Sequence, residues 1–285
     1  MVSSTPFFKL NGLGNDFVLI DHRRKALGPA LTKSRIRHLG DRKRGVGFDQ
    51  LLVLEKSPRA QARLHIYNTD GTRAEMCGNG LRAAALHLWT EGGVDPRREL
   101  LIHTDAGLLR CRPRGPLSKG MIETEMGIPH FPSAPRTPWV PTVLGARPVL
   151  VNVGNPHAVY WLTPPQVGVH GGGLAALTAA TRAWLTRHGS AVENHRAFPR
   201  RTNVEFARVR SPNRIDAYVW ERGVGLTEAC GTGAVAVACA ALREGLCSGT
   251  VSVGFPGGTV SVRWQPGESA FLTGKVEFSF SGRFY

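Results

Sequence analysis

The sequence predicts an α/β (α+β) fold built from two pseudo-symmetric domains. Short strand-like and helix-like segments alternate along all 285 residues, which is typical of mixed α/β proteins. Two Cys-Gly-x-Gly segments, beginning at Cys77 and Cys230, each open a run rich in Ala, Leu and Val that indicates a buried helix. The same motif in the same setting in each half indicates a diverged duplication.

The duplication extends beyond the two cysteines. An offset of 153 residues separates Cys77 from Cys230. Three further polar residues of the first half recur in the second, the first two with the same offset and the third with an offset of 140: Asn68 and Glu221, Gln50 and Asn203, Asn15 and Asn155. Because these segments recur in order, chance repetition of a Cys-Gly-x-Gly motif is the weaker explanation.

The first half begins with strands. Runs of apolar and β-branched residues separated by turn residues predict them. The predicted strands are 7–21 with a Gly-rich bend, 50–55, 62–68, 100–103 and 107–112. A short helix is predicted at 34–39, and the first thiol helix is predicted to end near residue 89.

The second half repeats this alternation. An amphipathic helix is predicted over 174–188 from the spacing of its apolar residues, Leu174, Leu177, Trp184 and Leu185. The remaining predicted elements are the second thiol helix over 231–244 and strands at 251–253, 259–264 and 272–280.

A proline-rich segment separates the two halves. Six prolines between residues 129 and 148 interrupt any regular pattern, so we predict a linker over 129–148. The N-terminal domain is then expected over 1–128, completed by the C-terminal strand near 272–285. The C-terminal domain is expected over 149–271.

Composition excludes several classes of protein. Hydrophobic residues make up 42% and charged residues 20% of the chain, as in soluble globular proteins, and no apolar run approaches the roughly 20 residues of a membrane span. The first residues lack the features of a signal peptide, so a cytoplasmic protein is expected. Five cysteines without a Cys-x-x-Cys pair argue against a disulfide framework and against a zinc or other metal site.

The net charge of +15 raises one alternative from another class, a basic nucleic-acid-binding protein. The basic clusters, such as Arg42-Lys43-Arg44 and Arg200-Arg201, are scattered along the chain, and no helix-turn-helix pattern or aromatic RNA-binding signature accompanies them. We therefore expect no specific nucleic-acid partner and interpret the charge as a solvated surface that attracts anionic metabolites.

The two thiols suggest a particular chemistry. A helix start offers unpaired N–H groups and partial positive charge, which favour a thiolate or a bound carboxylate. Inversion of a carbon stereocentre needs one group to remove a proton and a second to deliver one to the opposite face, and a thiolate and thiol meet that need without a cofactor. A redox pair is less well supported, because thioredoxin-like cysteines lie two residues apart rather than 153.

Eight segments resemble the diaminopimelate epimerase family. They run in family order through the chain: Gly12-Leu13-Gly14-Asn15-Asp16-Phe17, Gly45-Val46-Gly47-Phe48-Asp49-Gln50, Tyr67-Asn68-Thr69-Asp70-Gly71, Cys77-Gly78-Asn79-Gly80, Gly154-Asn155-Pro156-His157, Phe198-Pro199 with Thr202-Asn203-Val204, Glu221-Arg222-Gly223, and Ala229-Cys230-Gly231-Thr232-Gly233. The resemblance implies that each domain wraps a curved, mostly antiparallel sheet around a central helix, with the active site in the cleft between the domains.

The resemblance also implies residue roles. Cys77 would be the proton donor and Cys230 the proton acceptor, exchanging roles with the direction of reaction, and His157 and Glu221 would support catalysis. The implied substrate-binding residues are Asn15, Gln50, Asn68, Gly78, Asn79, Asn155, Asn203, Glu221, Arg222, Gly231 and Thr232. Arg222 is suited to the distal carboxylate of the substrate and Glu221 to its ammonium group.

The implied activity is interconversion of LL- and meso-2,6-diaminopimelate without pyridoxal phosphate, metal or other cofactor, by an enzyme that is often a homodimer. The alternative within enzymes is a two-thiol racemase of another amino acid, as in the related proline and histidine racemases. Asn68, Asn203 and Arg222 argue for a substrate with a second carboxylate and against proline.

Overall fold

A computed structural model describes residues 4–23, 31–74, 76–132, 141–162 and 177–284. The chain divides into two compact units, Met1–Glu125 with Thr273–Tyr285, and Met126–Leu272. Each unit combines a mixed, mostly antiparallel sheet with a buried helix, which confirms the predicted fold class.

The first unit begins with a β-hairpin and ends with the last strand of the chain. Its strands are β1 (Thr5–Gly12), β2 (Asn15–Asp21), β3 (Gln50–Glu55), β4 (Ala62–Asn68), β5 (Arg73–Ala74), β6 (Leu100–Thr104), β7 (Gly107–Pro113) and β8 (Met121–Glu125), and its helices are α1 (Lys33–Gly40) and α2 (Gly78–Thr90). The second unit contains β9 (Val149–Asn152), β10 (Pro156–Trp161), β11 (Asn203–Ser211), β12 (Arg214–Glu221), β13 (Gly225–Thr227), β14 (Val251–Phe255) and β15 (Gly258–Arg263), with α3 (Ala179–Glu193) and α4 (Gly231–Arg243). Strand β16 (Phe271–Lys275) leads from the second unit back to the first, where β17 (Glu277–Phe284) pairs with β1.

The strand pairing of the first unit is repeated in the second. In the first unit β1–β2 is antiparallel, β2–β3 parallel, β3–β4 and β4–β5 antiparallel, β4–β6 parallel and β6–β7 antiparallel. In the second, β9–β10, β10–β11, β11–β12, β12–β13, β12–β14 and β14–β15 follow the same sequence of directions. This repetition confirms the pseudo-symmetry predicted from the sequence.

Helices α2 and α4 form the centres of their units. Residues 78–89 of α2 are all buried, as are residues 232–241 of α4. A helix that is apolar on every face must be covered on every face, and the Ala-rich composition lets the strands approach it closely. The core of the first unit contains Leu81, Ala84 and Leu88 of α2 packed with strand residues such as Leu52 and Ile66.

The predicted helix over 174–188 was placed too early in the chain. Helix α3 begins at Ala179, because the Thr178 side chain accepts a hydrogen bond from the N–H of Thr181 and thereby caps the N-terminus of the helix. It ends at Glu193. Leu174 lies outside the described residues.

The described ends of the proline-rich segment lie in the second unit. His130 forms an isolated bridge with Asn152, and Val143 forms another with Ala146. Residues 133–140 lie outside the described part of the chain. Among the described helices, none is long and apolar enough to cross a membrane.

Candidate active site

Cys77 and Cys230 occupy the same position on matching helices. Each is the extended N-cap residue of its helix, Cys77 of α2 and Cys230 of α4. The Cys77 Sγ accepts a hydrogen bond from the N–H of Gly80 at 3.3 Å, and the Cys230 Sγ accepts one from the N–H of Gly233 at 3.4 Å. These N–H groups and the helix dipole favour negative charge on sulfur in both units.

In the first unit, the predicted substrate-binding amides form two hydrogen-bonded pairs. Asn79 Nδ2 donates to Asn15 Oδ1 at 2.7 Å, and Asn15 Nδ2 in turn donates to Asp49 at 3.3 Å. Gln50 Nε2 donates to Asn68 Oδ1 at 3.1 Å, because the two residues face each other across β3 and β4. The structure therefore brings Asn15 to the start of α2 and places Gln50 beside Asn68.

Arg82 adds a buried positive charge to the first unit that the sequence motifs did not reveal. Its side chain is fully buried in α2 and donates to Asn79 Oδ1, while Nε and Nη1 have no hydrogen-bond partner among the described residues. Burial lowers the pKa of the Arg82 guanidinium to about 10, and negative charge on Cys77 opposes that lowering. The only sequence signal was a charged residue inside an apolar helical run.

In the second unit, a chain of hydrogen bonds leads to Cys230. His157 Nε2 lies 2.9 Å from Asn155 Oδ1, Asn155 Nδ2 donates to Thr232 Oγ1 at 3.3 Å, and Thr232 Oγ1 lies 3.3 Å from Cys230 Sγ. His157 is buried at the start of β10 and Thr232 lies in the first turn of α4. Four of the predicted site residues thus form one continuous chain of side-chain contacts.

Glu205 continues this chain and was not predicted. It is fully buried on β11, and its Oε1 lies 2.6 Å from His157 Nδ1. The other oxygen, Oε2, is buried without a hydrogen-bond partner in the described part of the chain. A carboxylate in the otherwise apolar segment Val204-Glu205-Phe206 was the available signal in the sequence.

Glu221 provides a second carboxylate near Cys230. Glu221 Oε1 accepts a hydrogen bond from Thr227 Oγ1 at 2.5 Å. Burial raises the pKa of Glu221, and the hydrogen bond from Thr227 opposes this shift. Burial, followed by the charge of Glu221, raises the pKa of the Cys230 thiol well above its usual value, and the charge of Glu205 acts in the same direction.

Asn203 and Arg222 lie together at the ends of β11 and β12. Asn203 Oδ1 accepts a hydrogen bond from the Arg222 backbone N–H at 3.0 Å, and Asn203 Nδ2 donates to Pro156 O at 2.9 Å. The Arg222 guanidinium is exposed and donates to Arg200 O at 3.4 Å. Within the described part of the chain the Arg222 guanidinium thus has Arg200 O as its partner, whereas the Glu221 carboxylate accepts from Thr227.

A family profile described as Diaminopimelate epimerase matches residues 7–131 and 149–279. The chain belongs to the diaminopimelate epimerase family. Every predicted site residue of this family member lies inside one of the two matched stretches.

Two curated relatives extend the similarity over nearly the whole chain. A diaminopimelate epimerase from Rhizorhabdus wittichii is 40% identical over 96% of this chain and 93% of its own length. One from Erythrobacter litoralis is 37% identical over 98% of this chain and 96% of its own length. Among solved structures, a probable proline racemase from Agrobacterium radiobacter K84 is similar in fold, with a TM-score of 0.69 at 16% identity over 99% of this chain and 93% of that one.

Proposed function

We propose that this protein interconverts LL- and meso-2,6-diaminopimelate by cofactor-independent proton exchange at one α-carbon. Family membership supports this proposal, and one structural observation carries the chemistry. Each unit presents a cysteine as the N-cap of its central helix, with the sulfur accepting the N–H of the third helical residue. Such a pair of thiols is the minimum that two-base inversion of a stereocentre requires.

The two cysteines have complementary parts in this reaction. One sulfur, as thiolate, removes the α-proton, and the other, as thiol, delivers a proton to the opposite face of the same carbon. The first-turn N–H groups of Gly78 and Asn79, and of Gly231 and Thr232, have no partner within the helix, so they are suited to bind the α-carboxylate as negative charge develops beside it. The cysteines exchange donor and acceptor roles when the reaction runs in reverse.

We assign binding of the distal end of the substrate to polar side chains at the ends of the strands. Arg222 has an exposed guanidinium suited to a carboxylate, and Asn68 and Asn203 supply amide groups. Glu221 is suited to an ammonium group. These groups favour a substrate with two amino acid ends over proline, which has one.

The proposal is tested by α-proton exchange. The reduced protein is incubated with LL-diaminopimelate in deuterated water, and loss of the α-proton signal is followed by NMR. We expect exchange and epimerisation with the wild type and loss of epimerisation with Cys77→Ala and with Cys230→Ala. No exchange by the wild type, or normal epimerisation by both variants, contradicts the mechanism.

The alternative substrate is tested in the same assay. A panel that contains L-proline and other L-amino acids is compared with LL-diaminopimelate. If another amino acid exchanges its α-proton faster than diaminopimelate, that amino acid is the substrate, and the two-thiol mechanism is retained. Cys239→Ala is the matched control, because Cys239 is a buried cysteine within α4 away from the helix start.

The proposal also covers the domains, the redox environment and the oligomeric state of the enzyme. Residues 1–128 with the C-terminal strand near 272–285, and residues 149–271, would act as the two epimerase domains, joined by 129–148. All five cysteines are free, and catalysis by thiols requires that they remain reduced, as in the cytoplasm. The family resemblance supports a homodimer, which light scattering of the purified protein would detect.

A further inference from the structure

Glu205 lies at the far end of the hydrogen-bond chain that reaches Cys230. Its Oε1 is 2.6 Å from His157 Nδ1, and both side chains are completely excluded from solvent. We infer that Glu205 is a positioning residue for Cys230, which acts by fixing the hydrogen-bonding direction of His157. This inference rests on the proposed function, since it gives Cys230 a part in proton transfer.

A carboxylate restricts His157 in a specific way. An ionised carboxylate only accepts hydrogen bonds, so His157 Nδ1 must carry a proton and donate it to Glu205. The ring nitrogen whose hydrogen bonding is not fixed by Glu205 is Nε2, which faces Asn155 Oδ1 at 2.9 Å. Glu205 thus leaves Nε2 as the ring nitrogen that joins the hydrogen-bond chain to the thiol.

The chain between His157 and Cys230 can run in two directions. In the first, the Asn155 amide is oriented as in the structure: Asn155 Nδ2 donates to Thr232 Oγ1, and Asn155 Oδ1, which can only accept, requires that Nε2 donate to it. The Thr232 hydroxyl hydrogen is then free to donate to Cys230 Sγ, which is best accepted by a thiolate.

The opposite direction follows when the Asn155 amide turns by half a rotation. The Cys230 S–H then donates to Thr232 Oγ1, and the Thr232 hydroxyl donates to Asn155 Oδ1. Asn155 Nδ2 completes the chain by donating to a neutral His157 Nε2. Both directions hold the same number of protons. In the first, Cys230 is a thiolate and His157 Nε2 carries the proton; in the second, Cys230 is a thiol and Nε2 carries none.

The surroundings are consistent with a fixed Glu205. A Cβ added at Gly233 would lie 2.9 Å from Glu205 Oε1, so the absence of a side chain there leaves room for the carboxylate beneath the start of α4. The other titratable groups that face the chain are Glu221 of β12 and Cys230 itself. At the position 153 residues earlier the first unit has Leu52, so this carboxylate has no counterpart there.

The experiment is a double-mutant cycle of Glu205→Gln and His157→Ala. Glutamine keeps the shape of the side chain but donates as well as accepts, so it no longer fixes His157. In each variant, the pH dependence of alkylation by iodoacetamide is measured for Cys230 and Cys77 in the same sample by mass spectrometry. Because no substrate is present, this measurement stands even if diaminopimelate is not the substrate.

We expect the change that Glu205→Gln makes in the Cys230 to Cys77 alkylation ratio to be at least about 5-fold larger with His157 present than with His157→Ala, where only the direct charge effect on Cys230 remains. With diaminopimelate, kcat should fall about 10-fold or more while KM changes little. The matched control is Glu125→Gln, because Glu125 is a buried carboxylate on β8 that pairs with Arg110 in the first unit. It should leave both readouts unchanged.

Three results would overturn the inference. Equal effects of Glu205→Gln in both backgrounds would mean that its charge acts directly on Cys230 rather than through His157. An unchanged ratio would mean that Glu205 has no influence on the thiol. An equal rise at both cysteines, together with a lower unfolding temperature, would mean that the carboxylate only stabilises the fold.

Discussion

The starts of α2 and α4 have the same backbone arrangement and opposite charges around them. Five residues after the N-cap cysteine, α2 has the buried Arg82 and α4 has the buried Val235. On the strand beneath, the first unit has Leu52 where the second has Glu205. Cys77 is therefore accompanied by a buried cation, whereas Cys230 is accompanied by the buried carboxylate of Glu205 and the half-buried carboxylate of Glu221.

The difference shows what a duplicated scaffold must change to perform two-base chemistry. Two thiols in identical surroundings would ionise alike, but the reaction requires one thiolate and one thiol when the substrate arrives. The hydrogen bond from the third helical residue is kept in both units. The side chains that distinguish the thiols are instead placed in the surrounding core, at equivalent positions of helix and strand.

Removal of Arg82 should have the largest effect. Arg82→Met retains most of the buried volume but removes the cation near Cys77 and the hydrogen bond that orients Asn79. We expect kcat/KM for diaminopimelate to fall about 100-fold. Val235→Met is the control at the equivalent position and should lower kcat/KM by less than about 3-fold. Equal losses in the two variants would show that the charge asymmetry has no catalytic part.

The two thiols should differ in reactivity in the wild type. Burial and the carboxylates around Cys230 raise the pKa of that thiol well above its usual value, so a smaller fraction of it is thiolate at a given pH and it reacts more slowly. Cys77 is only half-buried and has Arg82 in its vicinity. Iodoacetamide at pH 8 should modify Cys77 at least about 10-fold faster, as measured by mass spectrometry. Faster modification of Cys230 would contradict the comparison.

Glu221→Gln should make Cys230 more reactive. The negative charge of Glu221 disfavours the Cys230 thiolate, and its removal therefore lowers the pKa of the thiol. The alkylation profile of Cys230 should move to lower pH, with a rate at pH 8 about 3-fold to 10-fold above that of the wild type. The profile of Cys77 serves as the internal control. A shift of Cys230 to higher pH would argue against this charge effect.

The smallest effect concerns the glycines that donate to the two sulfurs. A Cβ at Gly233 would meet Glu205 Oε1 at 2.9 Å, whereas one at Gly80 would meet Leu52 Cδ2 at 3.0 Å. The carboxylate is held by His157, but a leucine methyl can move. In urea unfolding, Gly233→Ala should lose about 1–2 kcal/mol more stability than Gly80→Ala. Similar losses would show that Glu205 is not fixed.

Much of the fold followed from the sequence because the duplication left its trace in the motifs. The shared offset of 153 residues aligned Gln50 with Asn203 and Asn68 with Glu221, and these residues occupy equivalent places in β3, β4, β11 and β12. Helix α3 was placed too early because Leu177, which precedes the helix, has the helical spacing to Trp184 and Leu185. The hydrogen bond made by Thr178, and not periodicity, sets where that helix begins.

The polar partners of the site were harder to predict. Glu205 and Arg82 each lie in an apolar run, where sequence periodicity records only a strand or a helix. Their contacts depend on which strand lies beneath which helix, as in the approach of Glu205 to Gly233. Such contacts arise from tertiary packing, so the motifs identified the cysteines and amides but not the charges that distinguish one thiol from the other.

The pairing of β17 with β1 also bears on how the chain folds as it is synthesised. Residues of β1 from Thr5 to Asn11 pair with β17, which emerges from the ribosome only after the second unit has been synthesised. The second unit, Met126–Leu272, is continuous in sequence and has all its strands available earlier. Strand β1 is therefore synthesised before the second unit but gains its β17 partner only after it, with an edge of β1 left unpaired in the nascent chain until then.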